Sequence, residues 1–454
     1  MDKKIYALID QMEADMVETL KTWIRIPSVK GEKMPGAPFG LEVRRALDVA
    51  LADADKMGFE TRNFDGYAGD ITMGQGDEVL GILCHVDVVP AGDGWKCDPF
   101  AAVIEGDKMY GRGTSDDKGP AVAALYAMKA VRDAGLPLKK KVRLILGCDE
   151  ESGWECMNYY QTKTDMPETG FSPDASFPVI NTEKGMIRID FSAPNAKEGL
   201  RVIAFNTGER PNVVPGHAVA QVMGDEETVK KVTAFKQETG CDVTAKNEGG
   251  VVTLESVGAT GHAAYPEAAK NAIGQMLLLL RALGVQGALK TLADKLGMEY
   301  HGESLGCAVS DDISGPLTLN CGIIRVDEDT VRGVFDIRYS LSAEPEKVVA
   351  AIKESMAGFD IQEGRFKAPH HVPEESELVQ ELLSAYHEET GLPKETQAIG
   401  GGTYARCLKQ GVAFGSAFPD DEELAHQAGE YLSIKGLMKN VKIFANAIAR
   451  LAGE

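Results

Sequence analysis

Apolar residues recur at helical spacing from Ile5 to about Ile26, until Pro27 in "IPSV" breaks the pattern. A second helix is predicted over residues 41–57, with Gly58 at its C-terminal end. Short strands are expected at residues 59–64 and 71–73. Residues 79–84, "VLGILC", are nearly all apolar, the pattern of a strand buried on both faces. Helix "AVAALYAMKAVRDAG", strand "KVRLILGC" and helix "WECMNYYQTKT" follow. Strands alternating with helices in this way predict a doubly wound α/β domain.

Beyond "EKGMIRIDFSAP" the texture changes to alternating strands, "RVIAFNT", "VVTLESVG" and "VRGVFDIRYSL", with helices such as "NAIGQMLLLLRALG" and "EKVVAAIKESMAG" between them. From "VPEESELVQELLSAYHEETG" the first texture returns, with the strand "VAFGSAF" and a final helix ending near Leu451. The predicted organisation is one α/β domain, residues 1–184 and 370–454, interrupted by an α+β domain, residues 185–369. At 454 residues the chain exceeds what one core accommodates, which agrees with two domains.

Composition narrows the class of partner. Hydrophobic residues make up 44% and charged residues 26%, the balance of an ordinary globular protein rather than a disordered one. The start, "MDKKIYALIDQMEADMVETL", reads as an amphipathic helix and not as a signal peptide. Apolar runs such as "QMLLLLRAL" fall short of the ~20 residues that cross a bilayer. The eight cysteines are scattered, as befits free thiols, so a cytoplasmic protein is expected. A net charge of −21 opposes capture of nucleic acid or an anionic membrane, which leaves small molecules as the expected partners.

Five stretches place acidic residues or histidines at expected strand ends: "HVD" (85–87), "GRGTSDDKG" (111–119), "GCDEESG" (147–153), "SPDASFP" (172–178) and "ELAHQAGEYL" (423–432). A single Asp or His in such a place is more often a cap or turn residue. Glu150 and Glu151 are harder to explain that way, because adjacent carboxylates at the mouth of a buried strand repel unless cations compensate them. Ligands in doubly wound folds lie beyond the carboxyl ends of the strands, which puts His85 and residues 149–151 on one edge. Mixed histidine and carboxylate ligands suit zinc or manganese, and a carboxylate such as Asp116 can bridge two ions ~3.5–4 Å apart. His85 is then a ligand, and Asp87 the acceptor that fixes its tautomer. The turns "GRGTSDDKG" and "GGGTYARC" lack the spacing of phosphate-binding loops. His217, His301, His370, His371 and His387 stand in no recognisable motif.

Together these motifs resemble the dinuclear metallopeptidase family that contains aminoacylase, carboxypeptidase G and dipeptidase V, with the dipeptidase V type most similar. "ERPNVVPG", "GHAAYPEAAKNAI" and "GGGTYAR" extend the resemblance over nearly the whole chain. It implies a catalytic α/β domain with an inserted lid domain and two divalent ions, zinc with manganese or cobalt as alternatives. His85 and Asp174 would hold one ion and Glu151 and His426 the other. Asp116 would bridge both, since it stands two residues before Lys118 and Gly119. Glu150 would be the general base, and His262 would reach into the site to stabilise the oxyanion. Asn212 and Arg338 would hold the substrate, Arg338 by its terminal carboxylate, and Gly402 in the 400–402 turn would shape the pocket floor. The implied activity is hydrolysis of dipeptides with a free N-terminus, with deacylation of N-acyl amino acids as the runner-up. A metal-binding or peptide-carrying protein without activity would have no use for Glu150. The long insert implies a monomer, with hinges near residues 184 and 370.

Overall fold

Val79–His85, buried at six of its seven positions, is the central strand of the first part of the chain. It pairs in parallel with Lys141–Gly147 on one side and Thr169–Ser172 on the other, and Gln410–Ala413 continues the parallel run beside Thr169–Ser172. Ala68–Met73 and then Glu60–Phe64 complete the edge beyond Lys141–Gly147 in antiparallel register. Helices Lys118–Ala134 and Ile434–Ala452 pack on each other and on the central strand. Their apolar positions, among them Val122, Leu125, Val441 and Phe444, join the strands in one continuous core. All four parallel strands therefore end at the same edge.

The computed structural model describes residues 3–453. The chain divides into two compact units, the first comprising residues up to Asn181, Val372–Gln397 and the chain from Gly402 onward. The second comprises Thr182–His371 with the short segment Ala398–Gly401. Periodicity does not reveal that this segment goes with the second unit, because what carries it there are bonds between residues distant in sequence, such as Lys184 N to the Ile399 carbonyl at 2.8 Å and Arg338 Nη1 to the Gly400 carbonyl at 2.6 Å.

Two elements differ from the sequence expectation. The first helix is two, Lys3–Gln11 and Glu13–Ile24, because the Met12 amide bonds the Ile9 carbonyl three residues back and tightens the turn there. The stretch "VAFGSAF" is also divided, into Gln410–Ala413 and Ser416–Ala417, with Gly415 between them at φ +81°.

Thr169–Ser172 approaches the central strand so closely that a Cβ on Gly170 would lie 2.0 Å from the Gly81 carbonyl oxygen. Gly170→Ala is expected to destabilise the first unit by at least the ~1–3 kcal/mol of an overpacked core. A thermal unfolding midpoint unchanged from wild type would show that the strands part without cost.

The second unit is built on an eight-stranded, wholly antiparallel sheet. Its order is Val243–Glu248, Val251–Val257, His217–Met223, Val202–Thr207, Thr318–Val326, Thr330–Tyr339, Gly185–Pro194 and Asp360–Lys367. Every second residue of Gly185–Pro194 is buried, the alternation of a sheet with one face on a core. That core holds Met276, Leu277, Leu280 and Leu289 from helices Ala272–Ala282 and Gly287–Lys295, and Ile352 from Pro345–Ser355. Asn271 caps the first of these helices through the Ile273 amide.

Candidate metal centre

The carboxyl ends of the parallel strands gather the acidic and histidine side chains of the first unit. Val79–His85 ends in His85, whose ring is fully buried. Gly147, at the end of its strand, leads to Glu150 and Glu151, and Ser172 leads to Asp174. Asp116 stands just before helix Lys118–Ala134, and His426 lies in the loop before Tyr431–Ser433.

Two triads result, His85–Asp116–Asp174 and Asp116–Glu151–His426, each with its ligand atoms within 4.8 Å of one another. Asp116 belongs to both and divides its oxygens between them. Its Oδ1 lies 3.0 Å from His85 Nε2 and its Oδ2 3.0 Å from His426 Nε2. Asp174 Oδ2 lies 3.7 Å from His85 Nε2, and Glu151 Oε1 lies 2.9 Å from His426 Nε2. Asp117 turns away from both triads: it is buried, and its Oδ2 accepts the His85 backbone amide at 3.0 Å.

The donor set fits divalent cations. Burial, reinforced by Asp116, pushes the Glu151 carboxyl up to about 7 and that of Asp174 up to about 6. Burial works against a charged His426, yet hydrogen bonds that its ring donates to Asp116 and Glu151 carry it up to about 11. Such crowding of carboxylates in a low dielectric is relieved by positive charge held between them. His85 Nε2 is buried with no hydrogen-bond partner and faces Asp116 and Asp174, as a ligating nitrogen would.

His85 Nδ1 fixes the ring through Asp87, but the nearer acceptor is the Asp87 backbone carbonyl at 2.9 Å; the carboxylate lies at 3.5 Å. That carboxylate instead accepts the amides of Glu150 and Glu151, each at 3.2 Å, and so holds the loop that carries both. Glu150 is a member of neither triad. Burial, followed by the charge of Asp174, drives its carboxyl well above the ordinary range. Its Oε1 accepts the Trp154 indole N–H at 3.1 Å.

Several groups supporting this arrangement lie within or beside the motifs, most of them with no role assigned from the sequence. Asp149 closes the 149–155 loop by accepting from Lys30 Nζ, Ser152 Oγ and the Glu155 amide at 2.6, 2.6 and 3.0 Å. Tyr404 packs edge-on to both Trp154 and His85 and shares a 2.9 Å hydrogen bond with Cys156 Sγ. Lys118, wholly buried and pushed down to about 7 by that burial, donates to the Trp23 and Ile26 carbonyls. Trp154 and His426 are two non-glycine residues with positive φ, +63° and +64°, and both lie in loops of the site. Glu430 accepts a set of bonds from the Asp116 loop. The sequence signals for it were a carboxylate four residues after His426 and the arginine in "GRG".

The remaining expected residues fall in the second unit, apart from Gly402. Val213–Val214 pairs with Gly261–His262 with Val213 opposite His262, and the Asn212 carbonyl accepts the Ala263 amide at 2.9 Å. Asn320, which no motif announced, pins this segment by donating to the Pro211 and Val213 carbonyls, both at 3.0 Å. Arg338 is buried in ladder register with Thr318, whose hydroxyl reaches the Ala263 carbonyl at 3.5 Å. Its guanidinium grips Asp336 through Nε and Nη2 and the Gly400 carbonyl through Nη1 at 2.6 Å. A Cβ on Gly400 would meet the Ala264 side chain at 2.6 Å. Asn212, His262, Arg338 and Gly400 are thus joined by a chain of contacts within one unit. Gly402 belongs to the first unit, where a Cβ would meet Arg406 Nε at 2.8 Å.

A model of the family described as Peptidase family M20/M25/M40 matches residues 81–450. The chain is 40% identical over 451 residues to a Bacillus subtilis (strain 168) protein named "Putative dipeptidase YtjP", covering 96% of this chain and 97% of that one. Among solved structures, human carnosine dipeptidase 1 superposes with a TM-score of 0.57 at 15% identity, covering 99% of each chain. Dug1p of Saccharomyces cerevisiae, described as a di-peptidase, superposes with a TM-score of 0.61 at 14% identity, covering 98% of each. At such identities the two superpositions speak for the fold.

Proposed function

The chain belongs to peptidase family M20/M25/M40 and is a hydrolytic enzyme, and from that premise we propose that it is a dipeptidase cleaving the amide bond of short peptides with a free N-terminus. The observation that carries this reading is Asp116, which offers one carboxylate oxygen to each triad while Glu150 stands beside them without joining either. The name of the Bacillus subtilis relative supports the dipeptidase assignment.

In this reading His85, Asp116 and Asp174 hold one divalent cation and Asp116, Glu151 and His426 the other, zinc being the ion proposed and manganese or cobalt its substitutes. When bound, the two ions supply a polarised scissile carbonyl and a water of lowered pKa. Glu150, held by Trp154 and kept basic by burial, takes a proton from the attacking water and delivers it to the leaving amine nitrogen. Asp87 keeps Glu150 in place by its hold on the loop amides. The second unit is proposed as the lid: His262 donates to the developing oxyanion, and Asn212 and Arg338 hold the substrate. Arg338, anchored on Asp336 and Gly400, is assigned the terminal carboxylate, and Gly402 the floor of the pocket.

We place this enzyme in the cytoplasm as a monomer. Eight free cysteines support the location, and the large second unit, supplying His262 within the same chain, supports the monomer. Among the described residues no helix is long and apolar enough to cross a membrane.

A hydrolysis panel on the metal-reconstituted protein tests the substrate class. Free dipeptides are expected to be cleaved and their N-acetyl and N-succinyl analogues left intact. Cleavage confined to the acylated compounds would make the enzyme a deacylase with the same site residues.

A further inference from the structure

Glu430 is fully buried four residues beyond His426 and directs both its side chain and its backbone at the loop that carries Asp116. Its Oε1 accepts the amides of Gly113 at 2.9 Å, Ser115 at 3.0 Å and Asp116 at 3.3 Å, and the Ser115 hydroxyl at 3.1 Å. Its Oε2 accepts Arg112 Nη1 at 2.6 Å, and its carbonyl accepts the Gly111 amide at 3.0 Å. Arg112, itself buried, is held in turn by the Ala91 carbonyl at 3.2 Å and lies against the Trp95 ring. Residues 111–117 have no helix or strand to fix their path. Turned inward on one carboxylate oxygen, their amides form a concave nest around an anion that belongs to the protein itself.

We propose that Glu430 is a positioning residue that sets the path of the Asp116 loop and couples it to the His426 loop, so that both triads depend on it together. The inference rests on the two-cation reading of the site. Asp116 spans the triads with its two oxygens 3.0 Å from His85 and His426, so a small rotation of its backbone misplaces both oxygens at once. The Glu430 bond to the Asp116 amide opposes that rotation directly, and the bonds to Gly113 and Ser115 fix the approach to it. Groups that orient metal ligands in this way typically govern metal affinity by ~10–100-fold.

Glu430→Ala alone would strand Arg112 as a buried unpaired charge, so two double variants make the test. Arg112→Met/Glu430→Gln and Arg112→Met/Glu430→Met both remove the ion pair and keep similar bulk, but only the glutamine retains an oxygen for the loop amides. The metal-stripped full-length protein and both variants are titrated with Mn²⁺ by calorimetry. Amide hydrogen exchange is followed in the same samples before metal is added. The Met double variant is expected to bind both ions ~10–100-fold more weakly than the Gln double variant. Its Gly113, Ser115 and Asp116 amides should lose protection, while those of Leu80, Ile82 and Leu83 keep it.

Equal affinities in the two double variants, with loop exchange unchanged, would overturn the inference and leave the metal assignment standing. Loss of protection throughout the central strand would also overturn it, since Glu430 would then be a general stabiliser. Failure of the wild-type protein to bind Mn²⁺ would remove the two-cation reading and this inference with it.

Discussion

Glu150→Gln is expected to lower kcat on a free dipeptide by ~10²–10⁴-fold, the range that a positioned general base contributes, while both cations remain bound. The substitution is nearly isosteric. A glutamine oxygen still accepts the Trp154 indole N–H, now 3.1 Å from Glu150 Oε1, and the Asp87 bonds are to backbone amides that the change leaves in place. What disappears is a carboxylate able to take a proton from water and hand it on. Since Glu150 is in neither triad, metal content should equal that of wild type by mass spectrometry of the dialysed protein. Near-normal turnover in this variant would remove Glu150 from the mechanism; loss of a cation would make it a ligand.

Asp116→Ala is expected to abolish binding at both triads, a larger effect than the ~100-fold limit for groups that merely orient ligands. Each triad keeps two residues without it, His85 with Asp174 and Glu151 with His426, too few to close a site. Asp174→Ala and His426→Ala each remove a member of one triad only, so each should weaken one cation and largely spare the other. Direct titration of the four proteins separates these patterns. If Asp116→Ala lost one ion and kept the other with native affinity, the bridging role would be wrong.

The sequence was most informative where local patterns decide structure. An apolar run ending in His85, and another ending before residues 149–151, place side chains at strand ends because a doubly buried strand leaves no other position for them. Asp116 and Asp117 are adjacent residues of the same type, yet one faces the triads and the other takes the His85 amide. The motif spacing distinguished them, while nothing in their own chemistry did. Groups that act across the fold were harder to see. Arg112 and Glu430 are 318 positions apart, and the Trp154 indole meets Glu150 only because the 149–155 loop folds back on Asp149. Asn320 stands in a largely buried strand with no motif around it, and its role shows only in the bonds by which its amide pins Pro211 and Val213. Asp87 was expected to be the acceptor for the His85 ring, but its identity alone does not say which of its oxygens serves, and the backbone carbonyl lies nearer than the carboxylate.

Metal removal and return, followed by turnover, bears most directly on the two-cation dipeptidase. The chelated protein is titrated with zinc, and in parallel with manganese, while hydrolysis of a free dipeptide and the bound metal per chain are measured at each step. Turnover absent from the stripped protein, rising with added ion and reaching its plateau at two ions per chain, is the expected result. Full turnover in the stripped protein, or a plateau at one ion with the second site empty, would contradict it.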